Sequence, residues 1–184
     1  LRAPKRAAPS RLAGGGPGPA VARPGRLRAA FVPGLAAERS DIVLVYGDTH
    51  WTFAGALGGA KCHVPVAHVE AGLRWFNRDM PEEINRVVTD HVSSLLFTPS
   101  RVAVDNLRSE GINEARIREV GDVMYDAALF YGKLCDSLPP ACAGFGLEPR
   151  GYILVTLHRP ENTDHPARLQ VISESLSRVS EVHP

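Results

Sequence analysis

Five short runs rich in Val, Ile and Leu, at residues 42–46, 64–69, 94–98, 117–120 and 152–157, alternate with stretches of helical character. Strands and helices alternating at this spacing predict βαβ units and a parallel sheet. The run Ile42-Val43-Leu44-Val45-Tyr46 is continuous, as expected of a strand buried on both faces. The expected fold class is α/β, a Rossmann-like parallel sheet with helices on both faces.

The helices can be sketched between these runs. One is expected over 49–61, weakened by Gly55, Gly58 and Gly59. A second begins at Pro81, where the first helical turn tolerates a missing N–H. Ile84, Val87, Val88, His91 and Val92 recur at three- and four-residue intervals and predict its buried stripe. Ser100 is placed to cap a third helix and Gly111 to close it. Further helices are expected over 122–131 and 164–182. The expected domains are a low-complexity, disordered basic tail over 1–40, a partial N-terminal domain over 41–135, a Pro- and Gly-containing linker over 136–150, and the start of a second domain over 151–184.

Ligands of open parallel sheets bind beyond the carboxyl ends of the strands. Asp48, Glu70 and His158 all fall there. Each has a plain alternative. Asp48 could be a helix N-cap, Glu70 could form a structural pair with Arg74 four residues on, and Glu82 and Glu83 could simply favour a helix start. His158 with Arg159 is a candidate acid–base and phosphate-binding pair. His63, His68 and His91 fit no zinc spacing, so no metal is expected, and His68 reads as an inward residue bonded to its neighbours. The Walker A, G-x-G-x-x-G and G-x-S-x-G patterns are absent.

Charge and cysteines narrow the class. The formal charge is +1, but residues 1–28 hold seven cations and no acid, so the remainder is acidic. It has no basic stripe interleaved with aromatics, so no nucleic-acid partner is expected. Three cysteines without a C-x-x-C pair argue for reduced thiols in the cytoplasm rather than a disulfide framework. No apolar run approaches the ~20 residues that span a bilayer, so no membrane partner is expected.

From residue 41 to 162 the chain resembles the non-hydrolysing UDP-N-acetylglucosamine 2-epimerases. The resemblance rests on Gly47-Asp48-Thr49, His68-Val69-Glu70-Ala71-Gly72-Leu73-Arg74, Met80-Pro81-Glu82-Glu83-Ile84-Asn85-Arg86, Phe97-Thr98-Pro99-Ser100, Gly121-Asp122-Val123-Met124-Tyr125-Asp126-Ala127 and His158-Arg159-Pro160-Glu161-Asn162, in that order. It implies a GT-B architecture, with two Rossmann-like domains around a nucleotide sugar and a homodimer at full length. It also implies Asp48, Glu70, Glu82 and His158 as catalytic residues, with Arg74, Glu83, Arg86, Arg159 and Glu161 binding substrate. No cofactor is implied. The implied reaction inverts C2 of UDP-GlcNAc through loss and return of UDP. A hydrolysing epimerase and a non-catalytic nucleotide-sugar module remain alternatives. Residues 1–40 lack the family's opening Gly-Thr-Arg-Pro-Glu type loop, and the family continues past Pro184, so the expectation is a truncated chain.

Overall fold

The computed structural model describes residues 32–35, 37, 39–148, 150–158 and 160–182. The expectations for residues 1–31 and for Arg159 lie outside them. The described chain divides after Asp126 into two units.

The first unit is built on four parallel strands in sequential order: β1 (Val43–Tyr46), β2 (Val66–Val69), β3 (Leu95–Thr98) and β4 (Ile117–Glu119). Helices α1 (His50–Lys61), α2 (Pro81–Val92) and α3 (Arg101–Ser109) make the crossovers. All four strands and these three helices fall where the alternating pattern predicts, within a residue or two at their ends.

Register explains where the helices lie. Val45 pairs with His68, His68 with Leu96, and Leu96 with Ile117, so these four side chains share one face of the sheet. On that face Val43, Val45 and Val66 pack with Ala56 of α1 and with Leu35. Leu96 and Ile117 pack with Val104 and Leu107 of α3 and with Ala71 and Ile112. Strands in sequential order joined by right-handed crossovers put every connecting helix on the same side. The opposite face of β1 is left open: Leu44 is 49% and Tyr46 56% exposed. Among the described residues β1 is thus buried on one face, where the continuous apolar run suggested two.

Helix α2 buries a face shifted from the expected one. Ile84 is 44% exposed, while Glu83, Asn85, Arg86, Thr89 and Asp90 are buried. Of the predicted stripe only Val87 is fully buried, and His91 is exposed. The side chain of each of those buried polar residues except Thr89 makes a specific hydrogen bond, which is what makes the burial tolerable.

In the second unit, helix α4 (Val123–Cys135) crosses the division, extending four residues past its expected end. Asp122 Oδ1 caps it, accepting from the Met124 N–H at 2.8 Å. A short 3-10 turn (Ala141–Phe145) closes on Gly146. Helices α5 (Pro160–Thr163) and α6 (Pro166–Val182) follow. The strand expected over 152–157 is not formed: the segment carries no regular structure and Ile153 and Leu154 are 61% and 80% exposed. β-favouring side chains make a strand only where a ladder partner satisfies the backbone, and no described strand pairs with this one.

Candidate functional site

Three chain reversals carry the acids. At the end of β1, Gly47 turns the chain in the left-handed region (φ +65°), and its N–H donates to Val69 O at 3.1 Å. Thr49, not Asp48, caps α1: its Oγ1 accepts from the Thr52 N–H at 3.2 Å. The N-cap alternative for Asp48 is thereby removed. Its carboxylate instead takes an ion pair from the Arg86 guanidinium, and its carbonyl accepts from Asn85 Nδ2 at 2.9 Å. Two residues of α2 therefore grip this turn.

At the end of β2, Glu70 itself adopts a left-handed backbone (φ +69°). For a residue with a side chain this conformation is costly, and such costs gather at functional sites. The Glu70 carboxyl is half-buried and makes no hydrogen bond or ion pair among the described residues. A Cβ built on Gly47 would lie 3.8 Å from Glu70 Oε2, so the free carboxyl sits against the turn that carries Asp48.

The chain then bends at Gly72 (φ +79°), where a Cβ would come within 2.3 Å of the Ala103 carbonyl oxygen. Only glycine fits, and the close approach locks the loop onto α3. Arg74 does not pair with Glu70. It is withdrawn into an internal network, 2.7 Å from Asp90 Oδ2 and 2.6 Å from Glu110 Oε1. Burial alone would lower the Arg74 pKa, but the hydrogen bond to Glu110 and the charge of Asp90 outweigh it and hold the guanidinium above its ordinary value.

At the start of α2, Pro81 occupies the first turn and no side chain caps it. Glu82 is exposed and lies four residues before Arg86, on the same helical face as that Asp48 partner. Glu83 is only 1% exposed; its carboxylate accepts from the Trp75 and Phe76 N–H groups at 3.0 and 3.2 Å. It holds the loop rather than facing solvent. Asp48, Glu70 and the α2 residue Arg86 are brought together; Arg74 and Glu83 are structural partners of the loop between them.

In the second unit His158 is exposed, and its carbonyl accepts from Asn162 Nδ2 at 3.2 Å. Glu161 lies in α5.

Asn85, Asp90 and Glu110 escaped the sequence reading. The available signal was polar spacing: Glu82, Arg86 and Asp90 recur every four residues along one helix face. Among the described residues no group of three or more His, Cys, Asp or Glu is arranged to hold a metal ion, and no helix is long and apolar enough to cross a membrane.

A parallel sheet with acids at its strand ends defines an α/β protein with a ligand site beyond the carboxyl edge of the sheet; comparison with known proteins supplies the family. Residues 21–184 match the UDP-N-acetylglucosamine 2-epimerase family, and the chain belongs to it. The match begins 20 residues before the resemblance read from motifs. Over 145 residues the chain is 54% identical to the UDP-2,3-diacetamido-2,3-dideoxy-D-glucuronate 2-epimerase of Pseudomonas aeruginosa, covering 77% of this chain and 39% of that protein. It is 46% identical over 151 residues to the UDP-N-acetylglucosamine 2-epimerase of Methanocaldococcus jannaschii, covering 81% and 41%. The crystal structure of a Methanocaldococcus jannaschii UDP-GlcNAc 2-epimerase in complex with UDP-GlcNAc and UDP superposes with a TM-score of 0.82 at 43% identity, over 91% of this chain and 46% of that one. The Neisseria meningitidis enzyme bound to UDP-GlcNAc gives 0.83 at 29%, with the same coverage. The chain spans about two fifths of the length of these curated relatives.

Proposed function

We propose that a protein carrying this segment epimerises UDP-N-acetylglucosamine at C2, giving UDP-N-acetylmannosamine. The observation that carries the reading is the Glu70 carboxyl, unpartnered among the described residues and held in a left-handed turn beside the turn that bears Asp48. A carboxylate without a competing cation is suited to take a weakly acidic proton. Glu70 removes the C2 proton; the C2–H electrons form a C1=C2 double bond as the C1–O bond breaks, and its electrons leave on the β-phosphate of UDP. The intermediate is a 2-acetamidoglucal. Protonation of C2 on the opposite face and return of the UDP oxygen to C1 complete the inversion, with no net redox change. Asp48, steadied by Arg86, and Glu82 on the same helix face are the further acid–base groups. His158 is proposed as a further catalytic residue that contacts UDP, and Arg159 and Glu161 as substrate-binding residues. The same proposal includes a cytoplasmic homodimer at full length, read by sedimentation.

The test is turnover of UDP-GlcNAc by the full-length protein in D2O. Deuterium at C2 of both UDP-sugars is expected, with Asp48→Asn and Glu70→Gln each slowing it ~10²-fold or more. Free ManNAc would assign the hydrolysing alternative, and near-normal rates in both variants would sink the residue assignment. A second substrate is favoured by the 54% identity to the Pseudomonas protein. UDP-2,3-diacetamido-2,3-dideoxy-D-glucuronate belongs in the same assay, and faster turnover of it would replace UDP-GlcNAc as the substrate.

A further inference from the structure

Beneath the two acid-bearing turns lies a buried polar group that the chemistry does not use. His68, on β2, is fully buried, and so is Asp90 of α2. His68 Nδ1 lies 2.6 Å from Asp90 Oδ1, and Nε2 lies 2.8 Å from the Gly47 carbonyl oxygen. The second oxygen of Asp90 accepts from the Gly72 N–H at 3.1 Å and faces Arg74 at 2.7 Å. Asp90 thus reaches both turns: the one before Asp48 through the imidazole, and the one after Glu70 directly.

Hydrogen-bond inventory fixes the protons. A carbonyl oxygen only accepts, so Nε2 must carry a hydrogen. Asp90 Oδ2 already accepts from the Gly72 N–H and from the Arg74 guanidinium, so the group is engaged as an acceptor. Its Oδ1 at 2.6 Å therefore requires a second donor, on Nδ1. The short distance suits a charge-assisted bond. Two cations, His68 and Arg74, then face two anions, the buried Asp90 and the partly exposed Glu110, so the charges of the group balance. An unpaired charge there would be costly; a balanced set with every bond made is not.

We propose that His68 is a positioning residue: a doubly protonated imidazole that, with Asp90, fixes the separation of the Gly47–Asp48 and Glu70–Gly72 turns. It rests on the assignment of Asp48 and Glu70 as acid–base groups. His68 touches no substrate in this scheme. It acts through the Gly47 carbonyl, whose displacement would swing the peptide that carries Asp48 and alter the gap to the Glu70 carboxyl. Acid–base catalysis tolerates little such error, since a misplacement of about 1 Å can cost ~10²-fold.

The experiment uses the full-length protein with 15N-labelled histidine. Wild type should show one imidazole with two slowly exchanging N–H signals, absent from His68→Phe. His68→Phe fills the space without donors; kcat should fall ~10- to 100-fold while KM and the affinity for UDP stay within ~3-fold. His68→Gln keeps a donor within reach of the Gly47 carbonyl and should recover a substantial part of that loss. A single N–H at His68, an unchanged kcat in a folded His68→Phe, or a parallel loss of kcat and UDP affinity would each overturn the proposal. If His68→Phe does not fold, the wild-type spectrum and the kcat of His68→Gln and Asp90→Asn decide it. Failure of wild type to turn over either UDP-sugar would refute the epimerase reading instead, a result separable from the N–H count.

Discussion

Helices α2 and α3 pack on the same face of one sheet and bury opposite kinds of surface. Helix α3 follows the rule for an amphipathic helix: Ala103, Val104 and Leu107 go inward and the charged residues out. Helix α2 turns Glu83, Asn85, Arg86, Thr89 and Asp90 inward and leaves Ile84 exposed. The difference is not one of propensity, since both sequences are strongly amphipathic. It follows from what each helix meets. Opposite α3 stand Leu96, Ile112 and Ile117, which offer only apolar contact. Opposite α2 stand the ends of β1 and β2, where the chain reverses and exposes carbonyls, N–H groups and charged side chains that need partners. A helix bordering a ligand site is used as a rack of donors and acceptors; its neighbour supplies the cohesion.

The sharpest way to break this contrast is to remove the centre of the polar rack. Asp90 meets His68, Arg74 and the Gly72 N–H at once. Asp90→Ala leaves two buried cations without their shared anion, and deleting one partner of a buried ionic group costs about 3–5 kcal/mol. Urea unfolding should show that loss. A change below about 1 kcal/mol would mean that α2 is held mainly by Val87 and its apolar neighbours, and the two helices would then not differ in kind.

Sequence made α3 fully legible and α2 only in outline, for the same reason. Ser100, Val104, Leu107 and Gly111 each do locally what their residue types favour. The bounds of α2 were equally plain from Pro81, but its orientation depended on partners 7 to 38 residues away that no periodicity reveals. Of the expected stripe Ile84, Val87, Val88, His91 and Val92, Val87 is buried and Val92 packs on the core, while Ile84 and His91 face out. Asp48 shows the same limit on a smaller scale: cap chemistry suited both Asp48 and Thr49, and Arg86 drew Asp48 away. The run 152–157 fails differently, being rich in β-favouring residues yet lacking a described strand to pair with. The strand-end positions of the acids were readable from βαβ topology, and His68 was readable as an inward, bonded strand residue, whereas its partner Asp90 on α2 was not.

Removing apolar cohesion from α3 is the matching experiment. Leu107 is fully buried against Leu96, Ile112 and Ile117. Leu107→Ala should cost about 3 kcal/mol, the lost transfer energy plus a cavity. Differential scanning calorimetry would register it as a clear fall in Tm, while turnover per folded molecule of the full-length protein stays near normal. A large kcat loss in the folded Leu107→Ala variant would show that α3 also sets the acid geometry, through its contact with Gly72.

The smallest effect lies where the two helices meet. Glu110, just past the end of α3, takes Arg74 on both oxygens and also meets His91 of α2 at 3.2 Å. Burial alone would raise the Glu110 pKa; the hydrogen bond and charge of Arg74, with a lesser part from His91, outweigh it and hold the carboxyl below its ordinary value. A folded pKa lower than the unfolded one makes stability complete above the unfolded value of ~4.3. That stability is lost as pH falls through the folded pKa. Because Glu110 is partly exposed, its share is about 0.5 kcal/mol, in the range for screened pairs. Glu110→Gln should therefore lower stability slightly at pH 7 and flatten the acid limb of the unfolding curve below pH ~4.3. An acid limb identical to wild type would place the contact between the helices in Asp90 alone, which would widen the contrast between a cohesive α3 and a polar α2.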